Sequence, residues 1–395
     1  MLLWCAVAMA QAEVLALKAT EVHTVSGEVI ADGVVIVRDG VIEAVGAGLA
    51  VPDGARVFTG EVLTPGLIDA WTTAGLTGVY NKEWDQDHAE GSSPVQPELR
   101  ALDGYRADEL VAWIRGFGVT TVNAGPSPGQ PVSGRTVVTR TTPAPVDEAA
   151  LSEDAFVVFS LGEQPKWRFS GEGASSRMGS AAIVRQSLAD AREYQQRRRL
   201  GGADRAPVDL GMEALVELLE GERRALFHAH RADDLLTALR IAEEFGIEVV
   251  LAGAAEGWLV ADRIAEAGVP VLVGPVMSRS WRNGEQRNSN FENAGILAGA
   301  GVPVAFMSGY EGYVPKVRVV LWEAAIAGAN GLGREATLEA LTLGAAGILG
   351  IEGETGSIEV GKAADLVIYD GDPFEYTSHA CVVVVGGAVV SEECR

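Results

Sequence analysis

Residues 62–75 read Val-Leu-Thr-Pro-Gly-Leu-Ile-Asp-Ala-Trp-Thr-Thr-Ala-Gly. The apolar run is interrupted at Thr64-Pro65-Gly66 and then resumes, which predicts a loop that leads into a buried strand. Side chains alternate between the two faces of a strand, so Asp69, Trp71 and Thr73 are predicted to point together toward the interior.

The two ends of the chain are rich in β-strand patterns. Residues 34–38, Asp39-Gly40 and residues 41–45 form a hairpin pattern with an Asp-Gly turn. Residues 356–370 and a last hairpin around Gly386-Gly387 repeat this character near the C-terminus. We therefore expect the two ends to pair into one small β-sandwich.

Strand-like and helix-like segments alternate between these ends, as they do in a parallel barrel. The predicted strands after the first are residues 119–122, 136–140, 156–161, 224–230, 248–251, 269–273 and 303–307, and the clearest helices are 108–117, 181–199 and 232–245.

The residues Pro65-Gly66-Leu67-Ile68-Asp69 match the start of a family signature, Pro-Gly-hydrophobic-hydrophobic-Asp-x-His-x-His. The chain thereby resembles the metal-dependent amidohydrolase superfamily. Residues 361–367 are similar to the C-terminal signature of the same superfamily. Further segments, among them Gly162-Glu163-x-Pro165-Lys166 and the run from His228 to Asp234, look like its imidazolonepropionase-related branch.

The resemblance implies an α/β fold with a distorted (β/α)8 barrel and a small β-sandwich formed from both chain ends. We place the barrel at residues 62–353 and the sandwich at residues 13–61 and 354–395. It also implies descent from hydrolases that act on non-peptide C–N bonds of the cyclic amide type. Such enzymes hold one or two divalent metals at the C-terminal mouth of the barrel, where the metal activates water.

Most of the metal ligands that the resemblance implies are replaced in this chain. Trp71 and Thr73 stand in place of the two histidines of the first strand, and Gly309 stands where the last strand should supply an aspartate. The fourth strand has no lysine and the sixth has no histidine. An indole N–H only donates hydrogen bonds, so Trp71 cannot ligate a metal.

Only the fifth strand keeps its donors. His228 matches a family ligand, and His230 lies on the same face of the strand. Two imidazoles alone make an incomplete site, because closed zinc sites have three or four protein ligands. Residues that would complete a single-metal site, with zinc the expected ion, are Asp85, Asp87, His88 and Glu311. The alternative is that both histidines are hydrogen-bonded residues of a polar barrel mouth without metal.

Four further residues are candidates for a substrate pocket: Asp69, Lys166, Arg168 and Arg177. Guanidinium groups match carboxylates in bidentate fashion, so the three basic residues favour an anionic group on a ligand. The alternative is that these three lie on a solvated loop.

Composition limits the partners. The 395 residues carry 54 Asp and Glu against 31 Lys and Arg, a net charge of −23. Such a surface repels nucleic acid and anionic lipid, so we expect a small-molecule ligand and leave a homo-oligomer open.

Residues 1–12 resemble a secretory signal peptide that lacks a basic start, and they are too short to span a bilayer. Export to the periplasm or outside the cell is the prediction, with a cytoplasmic protein as the alternative. Removal of Cys5 would leave Cys381 and Cys394, an even pair that predicts a disulfide. A two-residue turn at Gly386-Gly387 would place residue 381 opposite residue 392, with Cys394 diagonally beyond.

The leading hypothesis is a catalytically degenerate amidohydrolase that binds a small ligand at the barrel mouth. The alternative is an active hydrolase of a cyclic amide or related substrate that uses one metal at His228 and His230. A structural role in an oligomer is a third class, but no feature of the sequence favours it.

Overall fold

The computed structural model describes residues 14–80, 82–277, 284–310 and 319–395. The predicted signal segment and Glu311 lie outside these ranges. Within them, no helix is both long and apolar enough to cross a membrane.

The chain has a mixed α/β fold. Its strands are β1 Val14–Val22, β2 Ile30–Arg38, β3 Val41–Ala47, β4 Arg56–Pro65, β5 Leu67–Thr72, β6 Val119–Ala124, β7 Val132–Arg135, β8 Val137–Arg140, β9 Ala150–Ser152, β10 Phe156–Ser160, β11 Arg224–Ala229, β12 Val249–Gly253, β13 Val271–Val273, β14 Val304–Phe306, β15 Leu366–Tyr369, β16 Ala380–Val385 and β17 Ala388–Ser391. Its helices are α1 Ala101–Gly104, α2 Glu109–Arg115, α3 Val146–Ala149, α4 Glu163–Arg168, α5 Arg177–Arg198, α6 Leu210–Leu219, α7 Ala232–Phe245, α8 Ala261–Ala267, α9 Asn293–Gly299, α10 Val320–Ala327, α11 Arg334–Leu341 and α12 Leu343–Leu349.

Both ends of the chain contribute to one seven-stranded sheet, in the order β17-β16-β15-β4-β1-β2-β3. The pairing of the ends is direct, because β15 runs antiparallel to β4 with Leu366 opposite Pro65. The predicted β2–β3 hairpin is present, and both turn residues have positive φ, 52° at Asp39 and 83° at Gly40. This is the backbone that favours an Asp-Gly turn.

A disulfide joins Cys381 and Cys394, as predicted. The predicted register was wrong, because the β16–β17 pairing shifts between Val383 and Val384. Beyond this irregularity, Ala380 and Arg395 exchange both backbone hydrogen bonds, at 2.9 and 3.1 Å. Cys394 therefore lies directly opposite Cys381, and the strand does not have to bend toward a diagonal partner.

The central residues form two further sheets, one with the order β14-β13-β12-β11-β10-β7 and one with the order β5-β6-β8-β9. Strands β10 to β14 are parallel, and so are β5 and β6. The edges of the two sheets meet at an isolated parallel bridge between Thr72 and Gly309. The first and last central strands are thereby neighbours.

The main helices begin at polar caps. The Asp108 carboxylate accepts hydrogen bonds from the backbone N–H groups of Leu110 and Val111 at the start of α2. Helix α5 begins four residues earlier than predicted, because the Ser176 hydroxyl accepts from the N–H of Gly179 and caps an additional turn. Helix α7 has its predicted bounds and ends at Gly246, whose φ of 69° is typical of a helix C-cap.

Side chains from successive central strands fill the space between them. The apolar cluster contains Ile68, Ala70, Trp71, Val158, Leu226, Val250, Leu272 and Ala305, and residues of α12 such as Ala345 and Leu349. Asp365, from the C-terminal signature, links this part of the chain to the end sheet. Its buried carboxylate lies 3.2 Å from the Arg140 guanidinium and accepts a hydrogen bond from the N–H of Gly386.

Candidate functional site

The indole of Trp71 occupies the position that a metal-binding histidine would take on β5. The side chain is 1% exposed, and its ring centroid lies 5.5 Å from that of His228 on β11. Trp71 therefore points into the interior, as predicted, and it packs against His228 of the fifth strand. Its Nε1 is buried without a hydrogen-bond partner in the described part of the chain.

His228 and His230 are adjacent and buried. Their ring centroids lie 4.7 Å apart, with the ring planes nearly perpendicular. Burial lowers the pKa of His230 to about 4. Burial, and then repulsion from His230, lowers the pKa of His228 well below its usual value. Both imidazoles are therefore neutral at pH 7, and among the described residues neither Nδ1 atom has a hydrogen-bond partner.

The other nitrogen of His230 is engaged by Gln286, whose Nε2 lies 3.0 Å from His230 Nε2. An amide NH2 group only donates, so this contact uses the lone pair on Nε2 and leaves the proton on Nδ1. The ring also packs closely on Gly253, where an added Cβ would lie 2.9 Å from His230 Cε1. Gly253 and Gln286 together fix the orientation of this imidazole.

The described donors do not fit a resident metal ion. No carboxylate, histidine or cysteine within the described ranges joins His228 and His230 in a group of three whose ligand atoms all lie within 4.8 Å of one another. The indole beside His228 cannot ligate, and the lone pair of His230 Nε2 is already used. Two neutral imidazoles fall short of the three or four protein ligands that zinc sites need.

The predicted strict alternation along β5 is interrupted next to Asp69. The β5–β6 pairing is irregular between Asp69 and Thr72, and Ile68 and Ala70 share the apolar cluster with Trp71. A local bulge of this kind re-aims the side chains that follow it. The Asp69 carboxylate oxygens are engaged by Ser308, just after β14.

Asp69 is a buried carboxyl with several hydrogen-bond partners. It accepts hydrogen bonds from the backbone N–H of Ser308, at 2.9 Å, and from the Ser308 hydroxyl. The same hydroxyl contacts the Thr72 hydroxyl at 2.8 Å. Burial outweighs these bonds and raises the pKa of Asp69 to about 7. Asp69 therefore holds the end of β14 against β5.

The positions corresponding to the other lost ligands form part of the same junction. The N–H of Gly309 donates to the carbonyl of Trp71 at 2.9 Å, and the N–H of Thr73 donates to the carbonyl of Gly309 at 3.3 Å. The Thr73 hydroxyl lies 3.3 Å from that of Thr77. Thr73 thus has a local structural partner.

Two of the predicted pocket cations are committed to ion pairs. Lys166 lies 2.8 Å from Glu163, and Arg177 lies 2.7 Å from Glu163 and 2.9 Å from Asp234. Glu285 is 3.5 Å from Arg177, and burial raises its pKa to about 7. These contacts hold the start of α5 against the loops that follow β10 and β13.

Arg168 differs from the other two cations. Its guanidinium contacts the carbonyl oxygen of Ala89 at 3.5 Å and has no ion pair in the described part of the chain. It approaches Gly91 and Gly129, where an added Cβ would lie 3.4 Å from atoms of its side chain. Arg168 is therefore the pocket candidate that keeps its charge available.

The loop after β5 does not bring its predicted ligands to the histidine pair. His88 Nδ1 lies 2.7 Å from the Ser127 hydroxyl, and the His88 ring stacks on Tyr310 at 4.4 Å. Asp85 is buried and accepts from the N–H of Tyr80, while Asp87 lies 3.8 Å from an Arg106 nitrogen. Each of these groups has a structural partner of its own, and none of these partners is His228 or His230.

Two residues at the site were not identified from the sequence. Gln286 is one amide in a polar loop, and Ser308 is one hydroxyl at the end of a short apolar strand. Their partners are distant in sequence, since Gln286 is 56 residues from His230 and Ser308 is 239 residues from Asp69. No local motif marks either contact.

Comparison with known proteins assigns the class. The model of the amidohydrolase family matches residues 259–391. The solved structure of an amidohydrolase from Thermotoga maritima MSB8 has a TM-score of 0.90 with this chain at 32% sequence identity, covering 96% of this chain and 100% of that one. This chain belongs to the amidohydrolase superfamily, as the two signatures predicted.

Two curated relatives are more distant. An imidazolonepropionase from Porphyromonas gingivalis is 25% identical over 398 residues, which cover 91% of this chain and 87% of that protein. Amidohydrolase tasK from Hapsidospora irregularis is 24% identical over 355 residues and 82% of this chain. The match spans only 36% of the length of tasK.

The buried carboxyl at the β5–β14 junction predicts a specific pH dependence. The pKa of Asp69 is raised from its usual 3.8 to about 7, so folded wild type binds the extra proton and loses stability as pH rises between these values. Asp69→Asn imitates the protonated acid and lacks this loss. Between pH 4 and 8 the free energy of unfolding should therefore move in favour of the variant by up to roughly 4 kcal/mol.

Chemical denaturation of both proteins at several pH values measures this difference. Asp262→Asn, on the exposed face of α8, is the matched control and should show no such trend. A constant difference between Asp69→Asn and wild type across the range would contradict the assignment.

Proposed function

We propose that this amidohydrolase is catalytically degenerate and binds a small, uncharged amide- or urea-type ligand at the mouth of a distorted barrel. The observation that supports this most is a set of three buried polar atoms without partners in the described residues: Trp71 Nε1, His228 Nδ1 and His230 Nδ1. The Trp71 ring contacts the His228 ring, and the His228 ring contacts the His230 ring.

The barrel is inferred from how the two central sheets meet. Strands β7 and β8 are separated only by Thr136 and pair antiparallel with β10 and β6 respectively, so they act as one long strand shared by both sheets. The Thr72–Gly309 bridge joins the opposite edges. Counting β7 and β8 as one gives an eight-membered ring with a single antiparallel strand. The Val41–Ala363 bridge similarly brings the start of β3 against the segment before β15, which supports a sandwich made from the end sheet.

The chemistry of the three atoms defines the ligand class. The indole N–H is a donor, and His230 Nδ1 is a donor when Gln286 donates to Nε2. A carbonyl oxygen of a ligand would accept hydrogen bonds from these two donors. An N–H group next to that carbonyl in the ligand would donate to the third atom, His228 Nδ1. A cyclic amide or urea carries both groups side by side. A buried polar group left without a partner is costly, so a ligand that pairs these atoms gains binding energy.

Electrostatics favour a neutral reacting group over an anion. Both histidines are neutral, and Arg177 and Lys166 are already paired with carboxylates. Arg168 is the cation that remains available, so a ligand carboxylate would bind at that edge of the mouth.

The alternative is a hydrolase with one metal at His228 and His230. Two neutral imidazoles with unpartnered Nδ1 atoms favour it, because metals bind the neutral ring. A metal at this site would require His230 to give up its contact with Gln286 or to move its proton from Nδ1 to Nε2. The remaining ligands would have to come from outside the described residues. Hydrolysis of a cyclic amide that stops when a chelator is added would support this alternative.

Export is proposed on the strength of the Cys381–Cys394 disulfide. Disulfides persist in oxidising compartments and are rare in the cytosol. The homo-oligomer considered from the sequence is not part of this proposal.

Trp71→Phe tests the ligand hypothesis, because it removes the indole N–H and keeps an aromatic ring. We expect affinity for the best member of a panel of five-membered cyclic amides and ureas to fall about tenfold, the value of a typical hydrogen bond. Thermal stability should stay equal or rise, because an unsatisfied buried donor is lost. Calorimetric titration and melting temperature provide the two measurements.

Trp113→Phe, on α2, is the matched control and should bind like wild type. Unchanged ligand affinity in Trp71→Phe would contradict the proposed contact. Failure of the whole panel to bind wild type would contradict the ligand class.

Restoring the lost ligands should restore metal binding before catalysis. The variant Trp71→His/Thr73→His/Gly309→Asp recovers three donors, but β12 still lacks a histidine. It should also be less stable, since deletion of a buried Trp costs about 3–5 kcal/mol, less with imidazole as a partial filler. Gly309 has a φ of 62°, which any other side chain strains.

Metal stoichiometry, melting temperature and turnover of cyclic amides are measured on the variant and wild type together. Replacing Gly309→Asp by Gly309→Asn in the triple variant keeps the backbone strain and removes the charge. If wild type itself turns over the panel robustly and a chelator abolishes the activity, the site is not degenerate.

A further inference from the structure

The disulfide at the end of the chain lies beside a carboxylate. The two sulfurs and a carboxylate oxygen of Asp370 all lie within 4.8 Å of one another. Asp370 directly follows β15, Cys381 lies on β16, and Cys394 lies just before the last residue. Asp370 and Cys394 are exposed and Cys381 is half-buried, so solvent reaches this group.

His379 fixes the carboxylate that faces the sulfurs. The backbone N–H of His379 donates to Asp370 Oδ1 at 2.6 Å, and its ring Nδ1 lies 2.9 Å from Asp370 Oδ2. Slight burial opposes ionisation, but the hydrogen bonds from His379 prevail and hold the pKa of Asp370 below its usual value. The carboxylate is thus ionised and oriented at neutral pH.

We propose that reduction of the Cys381–Cys394 disulfide converts this group into a zinc site, with Cys381, Cys394 and Asp370 as ligands. His379 either orients Asp370 or supplies the fourth ligand. Thiolate, carboxylate and imidazole are the ligands that zinc binds in tetrahedral sites. The site is independent of the barrel mouth and of the function proposed for it.

The redox step balances with a dithiol as the reductant. Two electrons and two protons pass from the dithiol to the disulfide, giving the thiols of Cys381 and Cys394 and leaving the reductant as its own disulfide. Zinc then displaces the two thiol protons as it binds the thiolates. Oxidation by a small disulfide reverses both steps and releases the ion.

The geometry of the group fits a tetrahedral ion after a small movement. With Zn–S bonds of about 2.3 Å, two thiolates on one zinc lie roughly 3.8 Å apart, inside the present limits of the group. Rotation about the Cα–Cβ bonds of the two cysteines separates the sulfurs by this amount. The backbone pairing of Ala380 with Arg395 holds the two strands together meanwhile.

The consequence is a cross-link that persists in both redox states. The disulfide ties the chain end to β16 under oxidising conditions, and zinc ties the same residues under reducing conditions. The chain end would stay closed before the protein reaches an oxidising compartment.

Cobalt(II) titration of the reduced full-length protein tests the proposal, because thiolate-bound cobalt gives a charge-transfer absorption that imidazole and carboxylate sites lack. Cys5→Ser is included throughout, so that the remaining sulfur ligands are Cys381 and Cys394. We expect one equivalent of cobalt to give this band, zinc to displace it, and oxidised protein to give none. Asp370→Asn should weaken zinc binding at least tenfold, and His379→Gln by about tenfold.

Asp372→Asn, two residues beyond Asp370 and paired with Arg334, is the matched control and should bind as wild type does. Absence of the charge-transfer band in reduced protein would overturn the proposal. Full zinc affinity in Asp370→Asn would also overturn it, because the two thiolates would then bind without the proposed carboxylate.

Discussion

The buried carboxyl of Asp69 joins the first central strand to the last, and the arrangement of the candidate site depends on this contact. It accepts hydrogen bonds from both the N–H and the hydroxyl of Ser308. The next residue, Gly309, donates its N–H to the carbonyl of Trp71 and accepts from the N–H of Thr73. These contacts lie where the pairing of β5 is irregular, and Trp71 lies within the irregular segment. The Trp71 ring contacts His228, the residue that matches a family ligand. Scaffold and site are therefore coupled through a single buried acid.

Much of the fold follows from local patterns in the sequence. Helix α7 has the predicted bounds because its apolar period and its terminal Gly246 are both local signals. The Asp39-Gly40 hairpin was predicted for the same reason. The misplaced elements depended on contacts that periodicity does not encode. The shift in β16–β17 changed which residue faces Cys381, and the irregularity in β5 interrupted the predicted alternation between Asp69 and Thr72.

The site was predictable at positions where the type of amino acid alone determines the chemistry. An indole cannot ligate, so the loss of the first-strand ligands was clear from Trp71 and Thr73. The contacts of Gln286 with His230 and of Ser308 with Asp69 were not predictable, because each joins residues far apart in sequence through one polar side chain. The sequence also did not predict that Lys166 and Arg177 form ion pairs while Arg168 has none among the described residues. That difference depends on where the carboxylates of Glu163, Asp234 and Glu285 lie in three dimensions.

The chain thus combines the fold of the amidohydrolase superfamily with a candidate site whose described donors do not complete a metal site. Fold does not carry function, so the activity of this chain depends on the residues of the site itself. Metal analysis by mass spectrometry tests the site most directly, on oxidised protein that has its Cys381–Cys394 disulfide intact and was purified without chelator. The account predicts well under one equivalent of zinc, manganese or iron, with no change in His228→Ala. Near-stoichiometric metal in wild type that is lost in His228→Ala would contradict it.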